Sequence, residues 1–127
     1  MSLDITPLTR KGRKAIRAYG DGGFTIGNDT LMGSLIVYPE RVLEWSVTKA
    51  EDITLESLTP ILNAPEAVEL FIIGCGPRFV APPKGLREAL REQGVALEWM
   101  DTGAACRTQG LMIMEERDVV AALVAVE

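Results

Sequence analysis

The second half of the chain alternates segments typical of β-strands with segments typical of α-helices, and this order restricts the possible folds. The segments are VELFIIG, PPKGLREALREQG, VALEWM, DTGAACRTQGLMIMEE and DVVAALVAV. Such alternation builds βαβ units, in which neighbouring strands run parallel and helices cover the sheet. The sequence therefore predicts an α/β domain with a mixed, partly parallel sheet and about three helices.

The first half has a different pattern. Six of the twelve glycines fall within the first 33 residues, which is typical of tight turns between short antiparallel strands. The following segments GSLIVYP and RVLEWSV are both strand-like, and they predict a hairpin across the turn YPER. An N-terminal antiparallel β-hairpin portion is therefore expected to pack against the sheet.

Three helices are predicted from apolar spacing and end signals. The first, in TLESLTPILN, has Asp52 or Thr54 as its N-cap, and Pro60 predicts that it is short, kinked or late to begin. The second begins at Pro83 and ends at Gly94. The third is capped by Thr102, with Leu111 and Met112 continuing its buried face.

The size and hydropathy of the chain favour one domain spanning residues 1–127. A chain of 127 residues, 47% of them hydrophobic, can bury a core without disulfides or metals. Its apolar runs are far shorter than the roughly 20 residues of a membrane-spanning helix. No secretory signal pattern is visible at the start, so a cytoplasmic protein is expected.

Charge is distributed unevenly around a net value of −5. Residues 1–17 carry one acidic side chain and five basic ones, Arg10, Lys11, Arg13, Lys14 and Arg17. Residues 18–127 are strongly acidic, which argues against nucleic-acid binding. The basic segment is either a solvated, mobile arm or a contact to an acidic partner or an anionic membrane surface.

The chain contains no histidine, and its two cysteines are Cys75 and Cys106. The absence of histidine excludes Ser-His and Cys-His catalytic pairs and histidine-based metal clusters. Two isolated cysteines form no disulfide framework, so we interpret both as reduced thiols. No metal and no cofactor are expected.

Two loops follow predicted neighbouring parallel strands, at Gly74 and at Met100, and should emerge at the same sheet edge. Ligands of open α/β sheets bind at this edge, where helix N-termini offer free backbone N–H groups. This geometry predicts a crevice for a ligand or partner lined by Gly74, Cys75, Gly76, Arg78, Asp101, Thr102, Cys106 and Arg107.

The first of these loops, GCGPRF, has three interpretations. It matches a phosphate loop poorly, because it lacks the full glycine-lysine spacing and Pro77 has no N–H. Cys75 could act as a nucleophile only if a cation such as Arg78 lowered its pKa. The structural interpretation gives Gly74 and Gly76 a backbone role and packs Cys75 as a small hydrophobic residue.

Across nearly the whole chain from Ile5, the segments FTIGNDTLMGSLIVYP, VLEW, ELFIIGCG, EQGVALEWMDT, AACRT and EERDVVAALVAV resemble a small bacterial, archaeal and mitochondrial family. It includes the mitochondrial respiratory complex I assembly factor 3 proteins and a related adipogenesis-associated branch. The resemblance implies a three-layer α/β fold. It marks Gly27, Trp45, Gly74, Gly76, Met100, Thr102, Ala105, Arg107, Thr108 and Glu116.

The chain departs from this family at two places. Gln109 and Gly110 replace an aromatic residue and an asparagine, which puts in doubt any contact made by that ring. Cys75 replaces a common threonine, which weakens the thiol hypothesis.

The resemblance implies a non-enzymatic domain that binds a protein partner, with components of a respiratory complex as the expected partners. It also implies a location at the periphery of the inner membrane. The alternative is a small-molecule or anion site, or an unrecognised enzyme, in the crevice between loops 74–78 and 101–107, with Arg78 and Arg107 holding an anion. A homodimer formed by pairing of the early strands is a further prediction.

Overall fold

The computed structural model describes residues 14–64, 66 and 70–127. Within them lie three α-helices and eight strands, and the strands form two sheets. The strands are β1 Ile16–Gly20, β2 Gly23–Ile26, β3 Asp29–Met32, β4 Leu35–Val37, β5 Val42–Glu44, β6 Leu70–Gly74, β7 Ala96–Met100 and β8 Val120–Leu123. The helices are α1 Thr59–Leu62, α2 Leu86–Glu92 and α3 Thr102–Met114, and short 3₁₀ turns span Ala50–Asp52 and Glu56–Leu58.

Strands β1, β2 and β3 form an antiparallel sheet in that order, as the glycine pattern predicts. Gly20 pairs with Gly23, which leaves Asp21 and Gly22 as the two residues of the first turn. Both have positive φ angles, 53° and 81°. Two such residues are the requirement of a type I′ turn, whose twist matches that of the strands it joins.

The second sheet is mixed, with strand order β5-β4-β8-β6-β7. Strand β4 is antiparallel to β5 and β8, while β6 is parallel to both β7 and β8. The predicted hairpin across YPER is therefore confirmed, with Val37 opposite Val42. The predicted parallel pairing of the strands that end at Gly74 and Met100 is also confirmed.

This mixed sheet is buried on both faces. Phe71 and Ile73 of β6 point into one core cluster, which also contains Leu86 and Leu90 of α2. Ile72 points into the second cluster, which also holds residues of α3 and Phe24 of the smaller sheet. Successive side chains of β6 thus pack into two core clusters on opposite faces of the sheet. This is the α/β arrangement that the sequence predicts.

The first helical region begins late, as Pro60 predicts. Thr54 and Ser57 exchange hydrogen bonds at the start of the region, where each hydroxyl oxygen accepts from the other's backbone N–H. A 3₁₀ turn follows, and α1 begins only at Thr59, so that Pro60 lies in its first turn. There the missing proline N–H removes no helical hydrogen bond.

Three details of the predicted helices are wrong. Helix α2 begins at Leu86, because Gly85 takes a left-handed conformation between Pro83 and the helix. The N-cap of α3 is Asp101, whose carboxylate accepts from the Ala104 N–H at 2.8 Å, and Thr102 is the first helical residue. Leu111 is exposed on the outer face of α3.

The end of α3 is stabilised by a left-handed residue that is not glycine. Glu116 has φ 60°, its N–H donates to Ile113 O, and the next N–H, of Arg117, donates to Met112 O. This is the Schellman arrangement, in which glycine is usual. We expect Glu116→Gly to raise the free energy of unfolding by about 1 kcal/mol in chemical denaturation, because an L-residue is strained at this angle.

Glu115→Gly is the matched control, because Glu115 has an ordinary φ of −86°. It should destabilise the protein by about 0.5–1 kcal/mol through the greater flexibility of glycine in the unfolded chain. Stability shifts of the same sign in the two variants would contradict the assignment of strain to Glu116.

The described part of the predicted basic arm belongs to the fold. Lys14 is buried and its N–H donates to Pro39 O, while Arg17 lies in β1 and donates to Gly27 O. The other basic residues of that segment, Arg10, Lys11 and Arg13, lie outside the described residues.

Candidate functional site

The loops after β6 and β7 lie side by side, as the parallel pairing requires. The Cys75 N–H donates to Met100 O at 2.8 Å, and the Thr102 N–H donates to Gly76 O at 2.9 Å. The two loops are thus joined by backbone hydrogen bonds beyond the end of the regular strand pairing.

Thr102 ties these loops to the end of the sheet. Its side chain is fully buried, and its hydroxyl accepts from the Gly76 N–H at 3.0 Å and donates to Val124 O at 2.7 Å. The hydroxyl has its donor and one acceptor position in use. It therefore serves the fold, and a ligand would have to break these bonds to reach it.

The two glycines of the first loop have different roles. Gly76 has φ 123°, where side chains are strongly disfavoured, so the predicted backbone role is right for it. Gly74 has no such angle, but a Cβ there would lie 2.8 Å from Thr102 Cα and 3.1 Å from Ala105 Cβ. Gly74 is needed because α3 approaches β6 closely, a reason that the sequence alone does not show.

Both cysteines are buried. Cys75 packs in the core, and its thiol points at Arg78 O with an Sγ–O distance of 3.6 Å. Burial raises the pKa of the Cys106 thiol to about 12, while the neighbouring Arg107 cation acts in the opposite direction. Each cysteine thus packs as a small hydrophobic residue, and the raised pKa leaves Cys106 a poor nucleophile.

The buried Cys106 predicts a stability loss at alkaline pH. Between about pH 9 and 12 the unfolded chain has lost this thiol proton and the folded chain keeps it, so folded protein binds more protons and stability falls as pH rises. We expect the free energy of unfolding to fall more steeply from pH 8 to 10.5 in the native sequence than in Cys106→Ala. Parallel pH profiles would contradict this expectation.

The side chains of the predicted crevice that remain accessible are few. Arg78 and Arg107 are exposed, and Asp101 is half-buried with its carboxylate engaged at the start of α3. Arg107 makes no ion pair or side-chain hydrogen bond with any residue that the structure describes, including the acidic residues Asp101 and Glu98.

Arg107 also borders a groove that the sequence analysis missed. This groove of about 320 Å³ runs between β1 and α3 and is lined by Ile16, Arg17, Ala18, Tyr19, Cys106 and Arg107. At its other end Tyr19 lies over Gly103, where a Cβ would be 2.5 Å from the tyrosine Oη. Segments so far apart in the chain leave no local pattern that could have revealed this groove.

Gln109 joins the same two elements from within. Its side chain is 1% exposed, its Oε1 accepts from the Ile16 N–H at 3.1 Å, and its Nε2 donates to Lys14 O at 2.5 Å. The residue that departs from the family pattern therefore fixes the start of β1 against α3. Its amide offers one acceptor and one donor, which match these two backbone groups.

Most positions marked by the resemblance have a structural explanation. Gly27 has φ 62°, Trp45 donates its indole N–H to Ser57 O at 3.0 Å, and Ala105 lies fully buried beneath Gly74. The Thr108 hydroxyl donates to the Met100 sulfur at 3.4 Å. Arg107 differs from all of these, because it is exposed and without a partner among the described residues.

The described residues contain no group of three or more acidic or cysteine side chains suited to holding a metal ion. Within the same residues, every helix is too short or too polar to cross a bilayer.

Known proteins resemble this chain along almost its whole length. A family profile described as "Protein of unknown function (DUF498/DUF598)" matches residues 16–124. NADH dehydrogenase (ubiquinone) 1 alpha subcomplex assembly factor 3 of Xenopus tropicalis is 34% identical over 124 residues, which cover 94% of this chain and 68% of that protein.

Two solved structures share the fold. A protein described as an outer membrane protein of Bartonella henselae matches with a TM-score of 0.82 and 35% identity, covering 92% of this chain and 98% of its own. A Rhodopseudomonas palustris protein solved by NMR matches with a TM-score of 0.75 and 45% identity, covering 88% of this chain and 83% of its own.

Proposed function

The chain belongs to the DUF498/DUF598 family, and on that premise we propose that it binds a protein partner and assists assembly of a respiratory complex. The relatives named as complex I assembly factor 3 support an assembly-factor-like role. No catalytic step belongs to this proposal, because the chain lacks histidine and both cysteines are buried.

The observation that carries the proposal is that Arg107 is exposed and that its side chain has no partner among the described residues. Its neighbours in α3 are engaged in the fold: Cys106 is buried, and Gln109 holds β1. The Arg107 side chain makes no hydrogen bond or ion pair with the described residues, and it lies beside the groove along β1. Arginine is enriched at the centres of protein interfaces, where its planar group forms several hydrogen bonds at once.

Affinity purification from the native host tests this proposal. The tagged protein should recover respiratory or inner-membrane components, and Arg107→Ala should recover much less of them while its thermal unfolding stays unchanged. Lys84→Ala is a matched control, because Lys84 is exposed in the loop before α2. Recovery of only unrelated soluble proteins by the native sequence would contradict the assembly role.

The proposal places the protein in the cytoplasm, at the surface of the inner membrane. The basic residues Arg10, Lys11 and Arg13 would add electrostatic attraction to anionic lipid, each contributing about 1 kcal/mol near such a surface. Sedimentation with anionic and neutral vesicles tests this contact, which should weaken as salt is added.

A homodimer could form through β1 or β3, which are the outer strands of their sheet. It stays a prediction, and light scattering, which gives the molar mass in solution, would test it.

A small-molecule site is the second candidate, favoured by the groove that has Arg17 on its β1 side and Arg107 on its α3 side. Two guanidinium groups at a concave surface suit a carboxylate or phosphate. A thermal-shift panel of anions, nucleotides and metabolites tests it, since a ligand at a hundred times its Kd adds about 2.7 kcal/mol of stability. A shift that disappears in Arg107→Ala would favour this candidate, and a panel without shifts would exclude those compounds.

A further inference from the structure

Among the residues that the structure describes, strand β7 lies at the end of the five-stranded sheet and pairs only with β6. The Cys75 N–H donates to Met100 O, so Met100 directs its backbone carbonyl toward the β6 side. Backbone groups of successive residues point to opposite sides of a strand. Leu97 and Trp99 therefore direct their N–H and C=O groups to the open edge, where a further strand could bind.

The side chain of Arg87 confirms which side is open. Its Nη1 donates to Leu97 O at 2.6 Å, from α2 across the edge of the sheet. This bond satisfies one edge carbonyl but leaves the guanidinium charge without an acidic partner among the described residues. Arg91, one helical turn further along, is exposed, and its side chain has no hydrogen bond or ion pair in that part of the chain.

Beside this edge runs a groove of about 550 Å³, which we call the β7 groove and which is lined by Arg87, Arg91, Gly94, Val95, Ala96, Leu97 and Glu98. Its charged side chains are two arginines and one glutamate, in a chain whose net charge is −5. The β7 groove is thus a locally positive site on an acidic protein. Complementary charge in a partner therefore means acidic side chains.

The arginines stand on a defined face of the sheet. Leu86 and Leu90 of α2 share a core cluster with Leu97 and Trp99, so α2 covers the face toward which these β7 side chains point. A strand added beside β7 would direct every second side chain toward that same face. Carboxylates at those alternate positions would meet Arg87 and Arg91, whereas a shift of one residue would turn them away.

We propose that an extended acidic peptide segment of a partner protein binds as an added strand along β7, with its carboxylates toward Arg87 and Arg91. This inference rests on the proposed protein-binding function and names its surface. A guest N–H replaces Arg87 at Leu97 O, and the released guanidinium pairs with a guest carboxylate. Backbone bonds give such strand addition its affinity and side chains its specificity.

A second copy of the chain fits this edge less well. Antiparallel pairing with Leu97 opposite Trp99 would place Glu98 directly opposite the same residue of the other copy. Like charges at such cross-strand positions are destabilising. The charge pattern therefore favours a different, acidic chain as the occupant.

The test uses a blocked nine-residue peptide that alternates valine and glutamate, titrated into the full chain. Nuclear magnetic resonance of backbone amides follows the binding site, and fluorescence anisotropy of the labelled peptide gives its Kd. We expect shifts centred on the Leu97 and Trp99 amides and at least about tenfold weaker binding to Arg91→Glu. Lys49→Glu makes the same charge change at another exposed position and should bind normally.

Two control peptides separate charge from backbone pairing. Lysine in place of glutamate should abolish binding, and a central proline should weaken it because proline has no N–H to donate. Equal affinity of Arg91→Glu and Lys49→Glu, amide shifts centred elsewhere, or a dimer that protects the β7 edge would each overturn the inference.

Affinity purification with Arg91→Glu separates this inference from the proposed function. If the native sequence recovers respiratory components and Arg91→Glu recovers them equally, the partner does not bind at the β7 groove. The proposed role in assembly would still stand. If the acidic peptide binds β7 and no respiratory component is recovered, the groove stands and the assembly role fails.

Discussion

Gln109→Met should lower the free energy of unfolding by about 2–4 kcal/mol, because it removes both of the hydrogen bonds that the Gln109 side chain makes to buried backbone groups. The native amide accepts from the Ile16 N–H and donates to Lys14 O. Methionine has nearly the same length and volume, so the change removes these hydrogen bonds without opening a large cavity. Chemical denaturation measures the loss.

The same variant should release the start of β1. The Ile16 amide is expected to exchange with solvent much faster in Gln109→Met. The groove beside Arg107 should also become less ordered, because β1 forms one of its walls. Gln93→Met, at an exposed position after α2, serves as the control and should change stability by less than about 0.5 kcal/mol. An Ile16 amide that stays protected in Gln109→Met would show that Gln109 does not hold the strand.

The sequence could predict those features of the fold that depend on local pattern. Alternating strand and helix segments indicated that β6 and β7 are parallel, and this placed the loops at Gly76 and Thr102 together. Turn residues likewise indicated the hairpin between β4 and β5. In both cases the signal lies within a few residues of the structure that it determines.

Contacts between distant segments could not be predicted in the same way. Gln109 and Ile16 are 93 positions apart, and nothing near either residue shows that the amide will be buried against β1. The closeness of Gly74 to Ala105 depends on how α3 packs on the sheet, a property of the assembled core. The sequence thus predicted correctly that the two loops lie side by side, while the separate roles of their residues required the structure.

These fixed contacts explain how an exposed arginine can be positioned for binding. Arg107 lies in α3 between Thr102, which is tied to the sheet edge, and Gln109, which is tied to β1. Both ends of this stretch of helix are thus anchored by buried hydrogen bonds. A partner that binds Arg107 meets a side chain whose backbone is already ordered, which lowers the entropic cost of association.

Thr102→Val should be about as damaging as the loss of Gln109, lowering the free energy of unfolding by about 2–4 kcal/mol because the Gly76 N–H and Val124 O both lose a buried partner. Valine keeps the shape of threonine and its branched Cβ, so the expected loss belongs to the hydroxyl. Chemical denaturation gives the free energy, and amide exchange at Gly76 reports the local opening.

Two further variants make this prediction specific. Thr102→Ser keeps the hydroxyl and should retain most of the stability, while Thr108→Val removes only a hydroxyl–sulfur contact and should cost less than about 0.5 kcal/mol. Because Thr102 anchors the helix end that carries Arg107, Thr102→Val should also weaken partner recovery even at temperatures where it stays folded. If Thr102→Val and Thr102→Ser were equally stable, the hydroxyl bridge would have no part in holding the two loops to the sheet.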